Sequence, residues 1–266
     1  MTDKSAELDA MLASFKPEDW ERAKEVFTPQ EQEELAAMIE RHRWVQERRK
    51  LFGFYPETGP LRREAYGKHM EFYRAGAVHQ ERALIAANRV GKSFCICYEA
   101  TCHMIGWYPS WWEGRRFSEP VTAWFAGEDA KAVRDSLQTT LLGKPDSLGT
   151  GLIPNDNLAG KPTARAGVAE AYDAFSVKHK AGGTSRGTFK TYDMGRESFQ
   201  AARVDVIVLD EEPPLPVYTE ALTRTMSTEP GKPNGIVMCG FTPLRGLSAV
   251  VLQYLPGGKM KEPAAA

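Results

Sequence analysis

Little in this chain leans to one side. Its 266 residues carry 34 Lys+Arg against 35 Asp+Glu, a formal net charge of -1. A uniformly basic coat for nucleic acid is thereby excluded, and any such contact must come from a local patch. No apolar run approaches the ~18–20 residues that span a bilayer. The amino terminus, Met1-Thr-Asp-Lys-Ser5 followed by an acidic amphipathic stretch, is no secretory signal. The expectation is a soluble intracellular protein. Cysteine is scarce: Cys95, Cys97 and Cys102 share one predicted helix, and Cys239 falls in an apolar strand. Paired ligands at zinc-site spacing are missing, so the four thiols read as small buried hydrophobes. Hydrophobic residues at 42% and charged residues at 26% exclude bulk disorder. The length suits one large domain or a domain with an appendage.

The chain changes character along its length. Residues 4–50 read as helices. Ser5 can cap the first, ahead of Leu8, Met11, Leu12 and Phe15; a second starts near Pro17, and a third near Thr28-Pro29 with Leu35, Met38 and Ile39 as its apolar face. A basic run follows (Arg41, His42, Arg43, Arg48, Arg49, Lys50, beside Trp44), which reads as a solvated face or a phosphate-binding surface. The stretch Gly53 to Pro60 reads as a linker. Beyond it, apolar strands at Arg82–Ala87, Val121–Ala126, Phe189–Tyr192, Val204–Leu209 and Gly235–Gly240 alternate with helices at Lys92–Ile105, Asp129–Leu142 and Pro216–Met226. Such alternation predicts an α/β fold with a mainly parallel central sheet flanked by helices. The expected organisation is a helical appendage over 1–58, a core over 59–255 and a mobile tail over 256–266.

Two motifs carry chemistry. In Arg82-Ala-Leu-Ile-Ala-Ala-Asn-Arg-Val-Gly-Lys-Ser93 a strand enters a loop ending Gly91-Lys92-Ser93, and a helix follows. This is a P-loop arrangement, in which Ala87, Asn88, Arg89, Val90, Gly91 and Phe94 flank a phosphate cradle of backbone N–H groups. Lys92 would reach the β- and γ-phosphates of ATP and Ser93 would bind Mg2+. Ala86 stands where the consensus loop opens with Gly. The second motif, Val206-Ile-Val-Leu-Asp-Glu-Glu212, is an apolar strand ending in acids. There Asp210 would orient the Mg2+ ligands and Glu211 would polarise the attacking water. A third apolar strand ends at Thr242-Pro243, where a hydroxyl can meet the γ-phosphate or water; as a bare turn it would mean little.

Taken together, Ala86–Ser93, Leu209-Asp-Glu-Glu-Pro-Pro214 and Phe241-Thr-Pro-Leu-Arg-Gly246 resemble the N-terminal ATPase domain of the large terminase subunit of tailed bacteriophages. Tyr192–Gln200 and Trp111–Arg115 are similar to that group as well. The resemblance covers residues 60–255. It implies an additional-strand P-loop NTPase that works as a homo-oligomeric ring in the host cytoplasm and drives double-stranded DNA through a portal protein into a procapsid, with the small terminase subunit as a further partner. Arg89 then matches an arginine proposed to act on the γ-phosphate in cis, and Thr242 the position that couples hydrolysis to movement. Tyr66 and His69 occupy the place from which the family reads adenine. Family members usually carry a nuclease domain after the ATPase; only a short tail follows residue 255, so that activity is not carried over.

Three surface readings remain. Ring ATPases are completed by a neighbour's arginine; Arg134, off the Val133, Leu137, Leu141 stripe, is the candidate, with Arg196 and Arg203 as rivals. Lys178, His179, Lys180, Arg186 and Lys190 around Gly182-Gly183 read as a basic hairpin able to follow a phosphate backbone. Trp107, Tyr108, Trp111 and Trp112 read as loop packing. The alternatives are a helicase-like P-loop ATPase and a nucleotide-binding ring component without turnover.

Overall fold

The computed structural model describes residues 16–255 apart from residues 48, 201, 202, 232 and 245. The expected Ser5-capped helix, the tail over 256–266, Arg245 and the side chains of Arg41, His42, Arg43, Trp44 and Arg48 lie outside the described residues. Two helices come first, α1 (Pro17–Val26) and α2 (Pro29–Glu47). Proline stands at the first turn of α1, where its missing N–H costs nothing. A short α3 (Lys50–Gly53) and α4 (Gly67–Ala75) lead into the sheet.

The sheet has seven strands: β1 (Glu81–Ile85), β2 (Thr122–Gly127), β3 (Thr163–Ala164), β4 (Tyr172–Lys178), β5 (Thr184–Thr191), β6 (Val206–Asp210) and β7 (Ile236–Phe241). Their spatial order is β1-β7-β6-β2-β5-β4-β3. From β1 to β5 every neighbouring pair is parallel; β4 and β3 extend the sheet antiparallel. One strand, β7, stands between the loop-bearing β1 and the acid-bearing β6, which is the additional-strand arrangement that the family resemblance implied.

Parallel strands covered on both faces must be apolar on both faces, and β6 and β7 are buried at every residue. Their side chains alternate with period two. Val206, Val208, Ile236 and Met238 join a core formed with α5 (Lys92–Ile105). Ile207, Leu209, Val237 and Cys239 join a second core under α8 (Leu215–Thr225) and α9 (Ala249–Gln253). Cys95, Cys97, Cys102 and Cys239 are all buried.

Three expectations change. The segment from Gly53 expected as a linker packs onto the core instead: Tyr55 is buried there, as is Leu51 just before it. The Tyr55 ring lies among those of Tyr66, Tyr73, Tyr98 and Trp111 because it fills the gap between α4 and α5. The helix expected over Asp129–Leu142 runs unbroken but is widened part-way, as α6 (Ala130–Val133), a π turn (Arg134–Gln138) and α7 (Thr139–Leu142). Strand β5 starts five residues earlier than its apolar core suggested and pairs with β4 as the hairpin expected around Gly182-Gly183, with β4 reaching back to Tyr172. The tryptophan cluster is packing, with Trp112 stacked 4.9 Å from Tyr73 and buried.

Candidate active site

Because β1, β2, β5, β6 and β7 are parallel, their carboxyl ends share one edge of the sheet, where ligands of open α/β sheets bind. That edge collects the 86–91 loop after β1, Asp210 at the end of β6 with Glu211 after it, Thr242 after β7, and Tyr192 after β5. The loop turns sharply into α5. Gly91 has φ +83° as the residue before the helix, and a Cβ there would also lie 3.2 Å from the His69 ring. Arg89 holds φ +65° without being glycine, a conformation that costs about 1–3 kcal/mol.

Lys92 donates from Nζ to the Ala87 carbonyl at 2.9 Å and to the Thr242 hydroxyl at 2.8 Å. Ser93 donates to Oδ1 of Asp210 at 2.6 Å, and Ser136, on the π turn, donates to Oδ2 at 2.8 Å. Burial pushes the Asp210 carboxyl up from its ordinary value, against the pull of both hydroxyls and of Lys92. Glu211 adopts φ +61° and donates its N–H to the Gly240 carbonyl at 2.9 Å. Partial burial, and then the Asp210 charge alongside, push its carboxyl up as well. The Tyr192 hydroxyl sits 3.0 Å from the Asp210 carbonyl oxygen and 3.3 Å from those of Glu211 and Ala126, tying three strand ends together.

Two clefts open beside this cluster. One of about 670 Å³ is lined by Phe54, Tyr66, His69, Arg89, Val90 and Phe94 among others. The other, about 450 Å³, is lined by Glu128, Tyr192, Asp193, Glu211, Glu212, Pro214 and Leu244. Both nitrogens of the buried His69 are engaged: Nδ1 lies 2.8 Å from the Tyr55 hydroxyl and Nε2 3.2 Å from the Val90 carbonyl. Nε2–H therefore donates to Val90 while Nδ1 accepts from Tyr55. Burial holds the ring's pKa down, toward the neutral form this pairing needs. His69 fastens the loop, and Tyr66, its ring 5.3 Å from the imidazole, lines the cleft.

Ser93 and Asp210 present hard oxygen donors to one point, a set that suits Mg2+. Among the described residues no group of three or more His, Cys, Asp or Glu gathers as a metal cage. Mg2+ needs none, since it keeps water and substrate phosphates as most of its ligands.

Residues 83–262 match the model of the family described as "Terminase large subunit, T4likevirus-type, N-terminal". The chain belongs to the large terminase family. It is 32% identical over 269 residues to the large terminase subunit of Salmonella phage P22, covering 94% of this chain and 48% of that protein. The chain thus spans about half the length of that curated relative. Among solved structures, the large terminase ATPase domain of Thermus phage P74-26 is 15% identical with a TM-score of 0.41, covering 73% of this chain and 67% of that one. The large terminase of a thermophilic bacteriophage in complex with ADP is 13% identical with a TM-score of 0.41, covering 66% of this chain and 37% of that one.

The other residues singled out in this terminase chain fall in different places. Arg134 sits on the π turn, bonded to Asp135 Oδ1 at 2.8 Å and to the Ala169 carbonyl at 3.0 Å, with Val133, Leu137 and Leu141 buried behind it. Arg196 pairs with the buried Glu220 at 2.7 Å. Arg203 precedes β6, so it lies at the sheet edge opposite the site, and it is held by Asp205 and the Pro233 carbonyl. The basic hairpin also lies at that far edge, between β4 and β5. It is thinner than the sequence suggested. His179 is buried, and Lys190 sits 4.4 Å from the Trp124 ring while donating to the Ser198 carbonyl. Lys178, Lys180 and Arg186 remain exposed. Reading the sequence missed Ser136, which carries no motif, and the roles of Tyr192 and Tyr55, whose hydroxyls act only once distant segments meet.

Proposed function

We propose that this chain is the ATP-hydrolysing motor part of a phage terminase, and that within the whole packaging assembly it drives double-stranded DNA into the procapsid. The observation that carries the reading is the meeting, at one sheet edge, of Lys92, Ser93, Asp210, Glu211 and Thr242 from three separate strand ends. The backbone N–H groups around residues 87–93 and the start of α5 would hold the phosphates of ATP. Lys92, now bonded to a carbonyl and a hydroxyl, has its ammonium placed to exchange those partners for β- and γ-phosphate oxygens. Ser93 and Asp210 would hold Mg2+, which supplies charge to the phosphates as they separate.

Glu211 is the general base in this reading. Its left-handed backbone turns it away from the β6 ladder toward the acidic cleft, and its raised pKa brings its proton affinity closer to the value that efficient proton transfer needs. Arg89 would neutralise γ-phosphate charge in cis. Arg134 would act on a neighbouring subunit's nucleotide in a ring of copies, after giving up its contact with Ala169. Thr242, touching both Lys92 and Asn88, would report phosphate occupancy to β7. Portal protein and small terminase subunit are the assembly partners this reading implies. The exposed Lys178, Lys180 and Arg186 offer a sequence-independent contact to DNA phosphates.

Turnover of the purified chain against Lys92→Ala and Glu211→Gln, over a range of protein concentrations, tests the proposal. Glu211→Gln is expected to lose ~10²–10⁴ in turnover while still binding ATP, and Lys92→Ala to lose both. Steep concentration dependence of the wild-type rate would support an arginine supplied in trans. Wild-type turnover in both variants would overturn the assignment of this edge as the catalytic site.

A further inference from the structure

We infer that Ser136 is a positioning residue for the metal-binding carboxylate, and that the π turn exists to deliver it there. This inference rests on the nucleotide-site reading above and adds a residue to it. An α-helix places successive side chains about 100° apart, and a π turn inserts one extra residue, so everything beyond it is rotated by roughly that angle. Here the inserted turn falls on Arg134–Gln138. Leu137 on the turn and Leu141 beyond it are buried, and Ser136 aims at Asp210, 74 residues away in sequence, with Oγ 2.8 Å from Oδ2.

The turn is anchored from both sides. Gln138 donates from Nε2 to the Glu170 carbonyl at 2.8 Å and accepts from the Tyr172 N–H at 2.8 Å. Arg134 reaches the Ala169 carbonyl next door. The Arg134 carbonyl takes the Thr139 N–H as the bond that defines the turn and the Thr139 hydroxyl as a second donor at 2.9 Å. Ser136 is therefore held by its neighbours on the turn, and only its own hydroxyl touches the site.

What that hydroxyl does follows from the donors on the carboxylate. Oδ1 takes its proton donor from Ser93 and Oδ2 from Ser136. A metal ion would draw on a lone pair of Ser93 Oγ and leave its O–H for Oδ1. Ser136 supplies the donor on the second oxygen, and with one oxygen held by each serine the plane of the carboxylate is fixed. Partners that orient a metal-binding group in this manner typically change metal affinity or activity 10–100-fold when lost.

Binding of Mn2+ in the presence of ADP, followed by the loss of the free-ion paramagnetic resonance signal, tests the role without requiring turnover. Ser136→Ala is expected to raise the Mn2+ concentration at half-saturation ~10-fold or more, and the Mg2+ concentration for half-maximal ATP turnover by a similar factor. Its KM for ATP at saturating Mg2+ and its thermal midpoint should stay close to wild type. Ser136→Thr, which keeps the hydroxyl, should restore ion binding. Wild-type Mn2+ binding in a folded Ser136→Ala chain would overturn the inference, as would failure of Ser136→Thr to rescue an affected one. Lys92→Ala separates the two readings: if it binds Mn2+ with ADP as the wild type does, the nucleotide-site assignment fails, whatever Ser136 does.

Discussion

Helix α5 carries two polar clusters built from the same kinds of side chain and arranged to opposite ends. At its first turn Lys92 and Ser93 meet Asp210 and Thr242. In its second half Glu99 and His103 meet Arg82 from β1. The second cluster is closed. Arg82 donates both terminal nitrogens to Glu99, at 2.9 and 2.7 Å, and one of them also to the Phe72 carbonyl. The two side chains are 4% and 0% exposed, and His103 bridges from Glu99 to the Tyr108 hydroxyl. A bidentate guanidinium–carboxylate pair has one good geometry, and among the described residues Arg82 Nε is left buried with no partner to turn to. The first cluster bonds through hydroxyls and an ammonium, each able to turn to a different partner, and it borders two clefts. Buried charge that cannot exchange partners fixes how α5 lies on the sheet; polar groups that can exchange partners are left for chemistry.

Breaking each cluster should therefore fail differently. The largest structural effect is expected from Arg82→Ala, which leaves the Glu99 carboxylate buried without its ion pair. Loss of one partner of a buried pair typically costs about 3–5 kcal/mol, read as a lowered urea midpoint. Nucleotide affinity of the molecules that remain folded should change little. The catalytic variants should show the reverse, with turnover lost and the urea midpoint kept. If Arg82→Ala also abolished nucleotide binding in folded protein, the two clusters would be one unit and the contrast would collapse.

A smaller effect, on both properties, is expected from His69→Phe, because His69 joins the core to the loop. It keeps a ring of similar size but deletes the bonds to Tyr55 and the Val90 carbonyl. A lost hydrogen bond of this sort costs about 0.5–1.5 kcal/mol. Freed of its tether at Val90, the loop should also bind ADP more weakly, measurable by titration calorimetry. Unchanged ADP affinity would place His69 wholly with the core.

The smallest effect sharpens the comparison through pH. Burial holds the His103 pKa below its ordinary value, with Arg82 and Arg115 adding to that and Glu99 opposing it. Below pH ~6.5 an unfolded chain takes up a proton here that the folded chain refuses. Stability is then complete above that pH and falls as pH drops toward the folded value. Glu99 itself, driven up by burial but held lower overall by Arg82 and His103, loses its contribution only in more acid solution, below the usual carboxylate range. His69, also shifted down by burial, acts in the same direction as His103. The urea midpoint should accordingly decline between about pH 7 and 5.5, and less so in His103→Asn; an equal decline in that variant would assign the effect to the other histidines.

The two clusters also differ in how readable they are. Lys92, Ser93, Asp210 and Glu211 stand out because phosphate chemistry demands fixed spacings around a strand end, and those spacings survive in one dimension. The five parallel strands are legible for a related reason, since double-sided burial leaves unbroken apolar runs. The pair Arg82–Glu99 has no such trace, because its members sit 17 residues apart on a strand and a helix whose approach is set by packing. The hairpin around Gly182-Gly183 is legible from its charges and glycines, but most of β4 carries no apolar run, because its buried and exposed residues alternate. Charge there reads as a surface patch, and two of the residues in it are drawn inward, His179 by burial and Lys190 against the Trp124 ring. Ser136 could not be found at all without the extra residue in its helix, which no spacing rule anticipates.

Thr242 has one proton and two acceptors within reach, Asn88 Oδ1 at 2.6 Å and the Ala86 carbonyl at 3.0 Å, while Lys92 donates to the same oxygen. A single hydrogen cannot serve both acceptors well. The end of β7 thus has two electrically distinct settings that differ by the rotation of one hydroxyl, with no backbone displaced and no side chain swung. Both acceptors belong to the stretch that runs from β1 into α5. In the language of signals, and under the proposed function, this junction would store one bit, written by whatever Lys92 holds and legible from the strand that ends there.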